Sequence, residues 1–126
     1  MGDLFGPDTA IYLDTVTAPL RTIVGPVELG VFVGASIERF DHFTFVILNS
    51  VFDVEGDEAR GRIFMCELRH DSASDTWQNA HGLYEDTYAR MDRRWWFAER
   101  HYRSLARMGP DGVVLGLPDG LGPLGG

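Results

Sequence analysis

Glu67, Tyr84 and Asp86 are the side chains of this sequence whose types and spacing could move a proton. In a strand, alternate residues share a face. Gly82, Tyr84, Asp86 and Tyr88 of GLYEDTYARM therefore point one way, and Ile63, Met65, Glu67 and Arg69 of the preceding RIFMCELRH share a face as well. A carboxylate on the same face as Ile63 and Met65 is unusual, because ionised groups avoid buried faces unless they are paired. Desolvation there would raise the pKa of Glu67 or Asp86 toward the range useful for proton transfer at neutral pH, and the Tyr84 hydroxyl could donate a hydrogen bond to a carbonyl or leaving oxygen. The same residues also suit fixed ion pairs, Glu67 with Arg69 or Arg62 and Asp86 with an arginine of the last strand.

Other chemistries find little support. His42, His70, His81 and His101 show no i, i+4 pair and no Cys-x-x-Cys or His-x-Glu spacing, so no metal is expected and the histidines read as rim or loop residues. The single Cys66 lies in an apolar strand pattern and reads as a packing thiol. No glycine-rich loop joins a strand to a helix, and no serine sits in a Gly-x-Ser-x-Gly turn, so no cofactor is expected. Eleven basic residues, all Arg, against nineteen acidic ones give a net charge of −8, which opposes a nucleic-acid partner. No leader-like segment or apolar run of about twenty residues is present, so the expectation is a cytoplasmic protein without membrane contact.

The elements that must position these residues follow from periodicity. TAIYLDTVTAPLRTIVG is β-branched and broken at Ala18-Pro19, which suggests a strand hairpin. PVELGVFVGASIERF places Leu29, Phe32, Val33, Ile37 and Phe40 at helical spacing after Pro26, with Gly30 and Gly34 allowing close packing on a sheet. Four long strands in meander follow, from HFTFVILNSVFDV to WWFAERHYRS. The expected fold is α+β, a strongly curved antiparallel sheet forming a cone with the helix on its concave side. A domain over residues 1–108 is expected to precede a flexible Gly/Pro-rich tail over 109–126, in which VVLGL could dock as an edge strand. Trp95 and Trp96 fall on opposite faces and need cover on both sides, which points to a homodimer.

The turn Gly56-Asp57-Glu58-Ala59, the strand Gly82-Leu83-Tyr84-Glu85-Asp86 and the strand opening Trp95-Trp96-Phe97 with Arg100 resemble, in that order, the SnoaL-like group of the nuclear transport factor 2-like superfamily. The resemblance spans roughly residues 3 to 105, and the opening GDLFGPDTA matches the segment after the family's first two helices. It implies a cone whose interior binds a small hydrophobic molecule, with Gly82, Tyr84, Asp86, Glu67 and Arg69 facing inward. Phe45, Ile47, Asn49, Met65 and Phe97 would add substrate-binding wall. Some members are cofactor-free dehydratases, isomerases or cyclases, whereas others only bind or assemble. Phe45 stands where the dehydratase-like members carry a histidine. A lyase or isomerase using Glu67 or Asp86 with Tyr84, and a catalytically inert binder or dimeric structural member, both remain open.

Overall fold

The computed structural model describes residues 5–15 and 20–115. Strands β1 (Phe5–Asp14) and β2 (Arg21–Val24) form the first hairpin, followed by helix α1 (Pro26–Ile37). Strands β3 (Phe40–Glu55), β4 (Glu58–Asp71), β5 (Thr76–Met91) and β6 (Arg94–Gly109) make the meander, and a short β7 (Gly112–Leu115) closes the described chain. One curved sheet contains them all, in the order β2-β1-β6-β5-β4-β3, with β7 also paired to β6. Every pairing is antiparallel except that of β1 with β6.

Tight turns keep the meander local. Asp92 and Arg93, both at positive φ (54° and 64°), link the paired residues Met91 and Arg94, the two-residue left-handed turn that matches strand twist. At the start of α1, Gly25 has φ +83° and a Cβ there would lie 2.8 Å from the Pro7 carbonyl oxygen, so only glycine fits. Its N–H donates to the Thr9 carbonyl, which ties the helix entry to β1.

The helix is shorter than its sequence pattern and packs at one end of the sheet. Leu29 joins Phe5, Ile11 and Ile23 in a buried cluster that Leu13, Phe32, Val33 and Phe97 flank. Phe5 stacks on Phe97 with ring centroids 4.6 Å apart. Phe40, expected as the last apolar residue of the helix, instead begins β3. Gly30 and Gly34 are exposed with nothing near them, so they do not serve close packing on the sheet. The helical stripe ends early because α1 covers only β1 and β2.

Two further expectations meet the structure here. The boundary placed after residue 108 falls inside a hairpin, since β6 runs to Gly109 and β7 pairs Val113, Val114 and Leu115 with Met108, Arg107 and Ala106. The rest of the expected tail, 116–126, lies outside the described residues. Trp95 and Trp96 are each half-buried beneath an arginine, Arg90 over Trp95 at 5.6 Å and Arg94 over Trp96 at 4.4 Å, so the chain itself supplies part of the cover that was expected from a partner. Among the described residues no helix is long and apolar enough to cross a membrane.

Candidate functional site on the inner face of the sheet

Directly paired residues of an antiparallel sheet share a face, so the register fixes which side chains meet. Met65 pairs with Gly82 and Ile47, Glu67 with Ala80 and Phe45, and Arg69 with Gln78 and Phe43. On the next strand Tyr84 pairs with Tyr102, Asp86 with Arg100, Gly82 with Ser104, and Tyr88 with Phe97. Glu67, Tyr84, Asp86, Phe45, Ile47, Met65, Arg69 and Phe97 therefore lie on one face, with Ile11 and Leu13 of β1 completing it through Arg100 and Tyr102. Asn49 does not join them. An extra residue in β3 between Ile47 and Asn49 pairs Asn49 with Phe64, which turns it to the outer face.

The charged groups of this face form two clusters. In the first, the Asp86 side chain is fully buried and accepts hydrogen bonds from the Tyr88 hydroxyl at 2.9 Å and from Arg100 Nε at 3.1 Å. The Arg100 guanidinium lies 3.7 Å from the centre of the Tyr84 ring and 4.8 Å from that of Phe97. Burial raises the Asp86 pKa above the ordinary value and outweighs the lowering by Arg100. Burial also pushes the Tyr84 hydroxyl up to about 12, against the pull of Arg100, so this phenol is a hydrogen-bond donor at neutral pH.

The second cluster is less complete. Glu67 sits 3.6 Å from Arg69 and feels the positive charge of Arg107, yet burial dominates and raises its pKa. Arg107 donates to Ser104 Oγ at 3.2 Å, and Ser104 donates to the Tyr102 hydroxyl oxygen at 3.1 Å. With its oxygen accepting from Ser104, Tyr102 keeps its own O–H to donate. Arg69 Nε is buried without a hydrogen-bond partner among the described residues.

Gly82 holds the two clusters together. The Tyr102 ring crosses over it, and a Cβ at Gly82 would lie 2.4 Å from Tyr102 Cε2 and 2.9 Å from Met65 Sδ. The absent side chain lets the Tyr102 ring cross Gly82 and meet Tyr84, with ring centroids 5.1 Å apart and planes tilted by 47°.

Both ion-pair expectations hold in geometry, Glu67 with Arg69 and Asp86 with Arg100. Sequence reasoning missed Tyr102, Ser104 and Arg107, and the cause is β6 itself. Ala98 and Leu105 are extra residues opposite β5, so Phe97 and Arg100, and again Ser104 and Arg107, share a face at a spacing of three. The apolar wall on β3 is open, with Phe45 43% and Ile47 57% exposed. A separate depression between β2 and α1, bordered by Arg21, Ile23 and Phe32, contains none of the expected site residues. Among the described residues no group of three or more His, Cys, Asp or Glu side chains could hold a metal ion.

Comparison with known proteins agrees with this architecture. A family model described as a SnoaL-like domain matches residues 1–101. A hexachlorocyclohexane dehydrochlorinase, LinA type 2, superposes with a TM-score of 0.74 at 15% identity, covering 95% of this chain and 79% of that one. A proposed scytalone dehydratase from Novosphingobium aromaticivorans gives 0.71 at 21% identity, over 97% and 79% of the two chains. An NTF2-like protein with a cystatin-like fold, also from Novosphingobium aromaticivorans, gives 0.65 at 18%, over 82% and 66%. At these identities the likeness is one of fold. No curated protein matches the sequence.

Proposed function

The chain belongs to the SnoaL-like family of the nuclear transport factor 2-like superfamily, and from that premise we propose that its inner face binds a small hydrophobic carbonyl compound and moves a proton on it without a cofactor. The observation that carries this reading is the state of Glu67. Its carboxyl is raised by burial, has one loose arginine contact, and shares a face with Met65, Phe45 and three tyrosines. In the proposed step the Glu67 carboxylate removes a proton from the carbon next to a carbonyl, and the Tyr84 hydroxyl donates a hydrogen bond to the enolate oxygen that forms. The protonated Glu67 then returns the proton at another carbon, giving isomerisation, or the enolate expels a leaving group, giving elimination. Phe45, Ile47 and Phe97 supply apolar contact to the rest of the molecule, whereas Met65, expected in that wall, is fully buried and has no surface to offer it. Asp86 is the less suitable base, because Tyr88 and Arg100 already occupy its oxygens.

The dehydrochlorinase and the proposed scytalone dehydratase similar in fold are in keeping with elimination chemistry. Phe45 in the position of the family histidine favours the second reading, an inert ligand-binding or structural member. Exchange of the α-hydrogens of 2-tetralone in deuterated water, followed by proton NMR, separates the two. Acceleration by the protein that falls about a hundredfold or more in Glu67→Gln supports the enzyme. Binding of 2-naphthol, a planar enolate-like phenol, without any acceleration of exchange would establish the binder instead.

A homodimer through the outer face is also proposed. Val46, Val51 and Leu68 are exposed there, and a second copy would cover them. Light scattering at micromolar concentration should give twice the chain mass, and a compact monomer would exclude it.

A further inference from the structure

The arginines of the inner face do not balance its acids. Arg100 is matched by Asp86, Arg39 lies 3.9 Å from Asp71, and Arg69 lies 3.6 Å from Glu67. Arg107 has a hydrogen bond to the neutral Ser104 but no carboxylate contact among the described residues. Arg69 and Arg107 stand on the same face, two rows apart across β5, through Gln78 and Ala80. They are close enough for Arg107 to act on Arg69: the Arg69 pKa is lowered by burial first and by the charge of Arg107 next. Arg69 is held against the Phe40 ring at 5.1 Å, its side chain is 12% exposed, and its Nε–H is buried without a partner. Of these two half-buried guanidinium groups, Arg69 thus has one carboxylate at 3.6 Å and Arg107 has none in contact among the described residues, and burial raises the pKa of that one carboxylate.

Burying a positive charge without its counter-charge is costly, and burying an unused N–H adds to the cost. Purely structural arginines would be expected to have a second acid nearby. What stands there instead is a set of donors, the Arg69 and Arg107 guanidinium groups and the hydroxyl of Tyr102, whose oxygen already accepts from Ser104. Such a set matches an anion with two oxygens in a plane. The residues beside it, Met65 and Ala80, are apolar and fully buried, so they offer a bound ion no polar group in place of its water. An inorganic ion would keep its water, whereas a carboxylate attached to a hydrophobic body would give up little.

We propose that the ligand of the inner face is a hydrophobic carboxylic acid in its anionic form, with its carboxylate held by Arg69 and Arg107. This rests on the reading of the inner face as the ligand site and adds the chemical class of the ligand. The acid lies at the Glu67 end of the face, and its hydrophobic body extends toward Tyr84 and Phe97. A carboxylate is then distinguished from an ester or amide of the same shape, since only the ion recovers the cost of the unmatched arginines.

Titration calorimetry of the full chain with 2-naphthoate, 2-naphthamide and 2-naphthol tests this. The expected result is 2-naphthoate binding about tenfold or more tighter than 2-naphthamide, as charge-assisted hydrogen bonds imply. In Arg107→Gln the ratio falls toward one, and Arg69→Lys, which keeps the charge but loses the planar fork, reduces it in part. Thermal melting of each variant shows whether it is folded. An unchanged preference in a folded Arg107→Gln overturns the assignment of the arginines, and equal affinity for acid and amide in the natural chain overturns the ligand class. Binding of 2-naphthol with no preference for 2-naphthoate would remove this inference alone. Failure of all three probes to bind would count against the ligand face as well.

Discussion

Asp86 and Glu67 are carboxylates on the same face of the same sheet, both raised by burial, yet their surroundings differ in completeness. Asp86 has two hydrogen bonds and a guanidinium fixed between two aromatic rings. Glu67 has one ion contact of 3.6 Å with an arginine that is itself short of a partner. A carboxylate whose oxygens are occupied holds strands together, whereas one left partly unoccupied can accept a proton from something else. The first acid is the structural one on this reading, and the second is the chemical one.

The largest effect should come from breaking the complete pair. Asp86→Ala leaves Arg100 without its acid and the Tyr88 hydroxyl without its acceptor, and should cost about 3 kcal/mol in denaturant unfolding. Glu67→Ala removes a looser contact and relieves a buried charge, so about 1 kcal/mol is expected. Equal losses would make Glu67 a structural acid too. Next in size is Gly82→Ala, where the new methyl group meets the Tyr102 ring that lies between the clusters. Overpacking of this kind should cost about 2 kcal/mol, and a simultaneous Tyr102→Ala change should recover part of it.

The pH dependence is a smaller and more selective probe. Because burial raises Glu67 and Asp86, the folded chain holds their protons more tightly than the unfolded chain does. Their contribution to stability is fully present below the ordinary carboxylate range and is lost as pH rises through the elevated values. Glu67→Gln removes its share, so stability should fall less steeply in the variant as pH rises above the ordinary carboxylate range. Carbon-13 NMR of labelled carboxylates should show both groups titrating above a model acid. The smallest effect is expected from deleting residues 111–126. The four residues of β7 are exposed and pair only with the end of β6, so the loss should stay below about 1 kcal/mol. A larger loss would show that β7 fixes Arg107, which pairs directly with Val114.

Much of this arrangement was legible because a two-residue period is easily read wherever a strand is regular. β4 and β5 are regular through the site, and the shared face of Met65, Glu67 and Arg69 with Gly82, Tyr84 and Asp86 follows from counting. The same counting fails at Asn49, Ser104 and Arg107, because one extra residue in β3 and two in β6 reverse which side chains face inward. Nothing in the types of Leu48, Ala98 or Leu105 marks them as extra residues, since a bulge answers to the curvature of the whole sheet. The helix was found at its start, where Pro26 and Gly25 fix the backbone, and overextended at its end, where the apolar period carries on into β3. The ion pairs were foreseen as pairs, but their unequal completeness depends on distances that no spacing encodes.

The parallel pairing of β1 with β6 joins residues such as Phe5 and Phe97, or Ile11 and Arg100, from opposite ends of the described chain. On a ribosome, β3, β4 and β5 can pair as they emerge, each with its neighbour, while β1 and the cluster of Phe5, Ile11, Ile23 and Leu29 wait for β6, which is synthesised after all of these. Until then those apolar side chains have only the first hairpin and one helix for shelter. The nascent chain is therefore most open to chaperones and proteases over β1, β2 and α1, and a pause in translation before β6 would lengthen that interval.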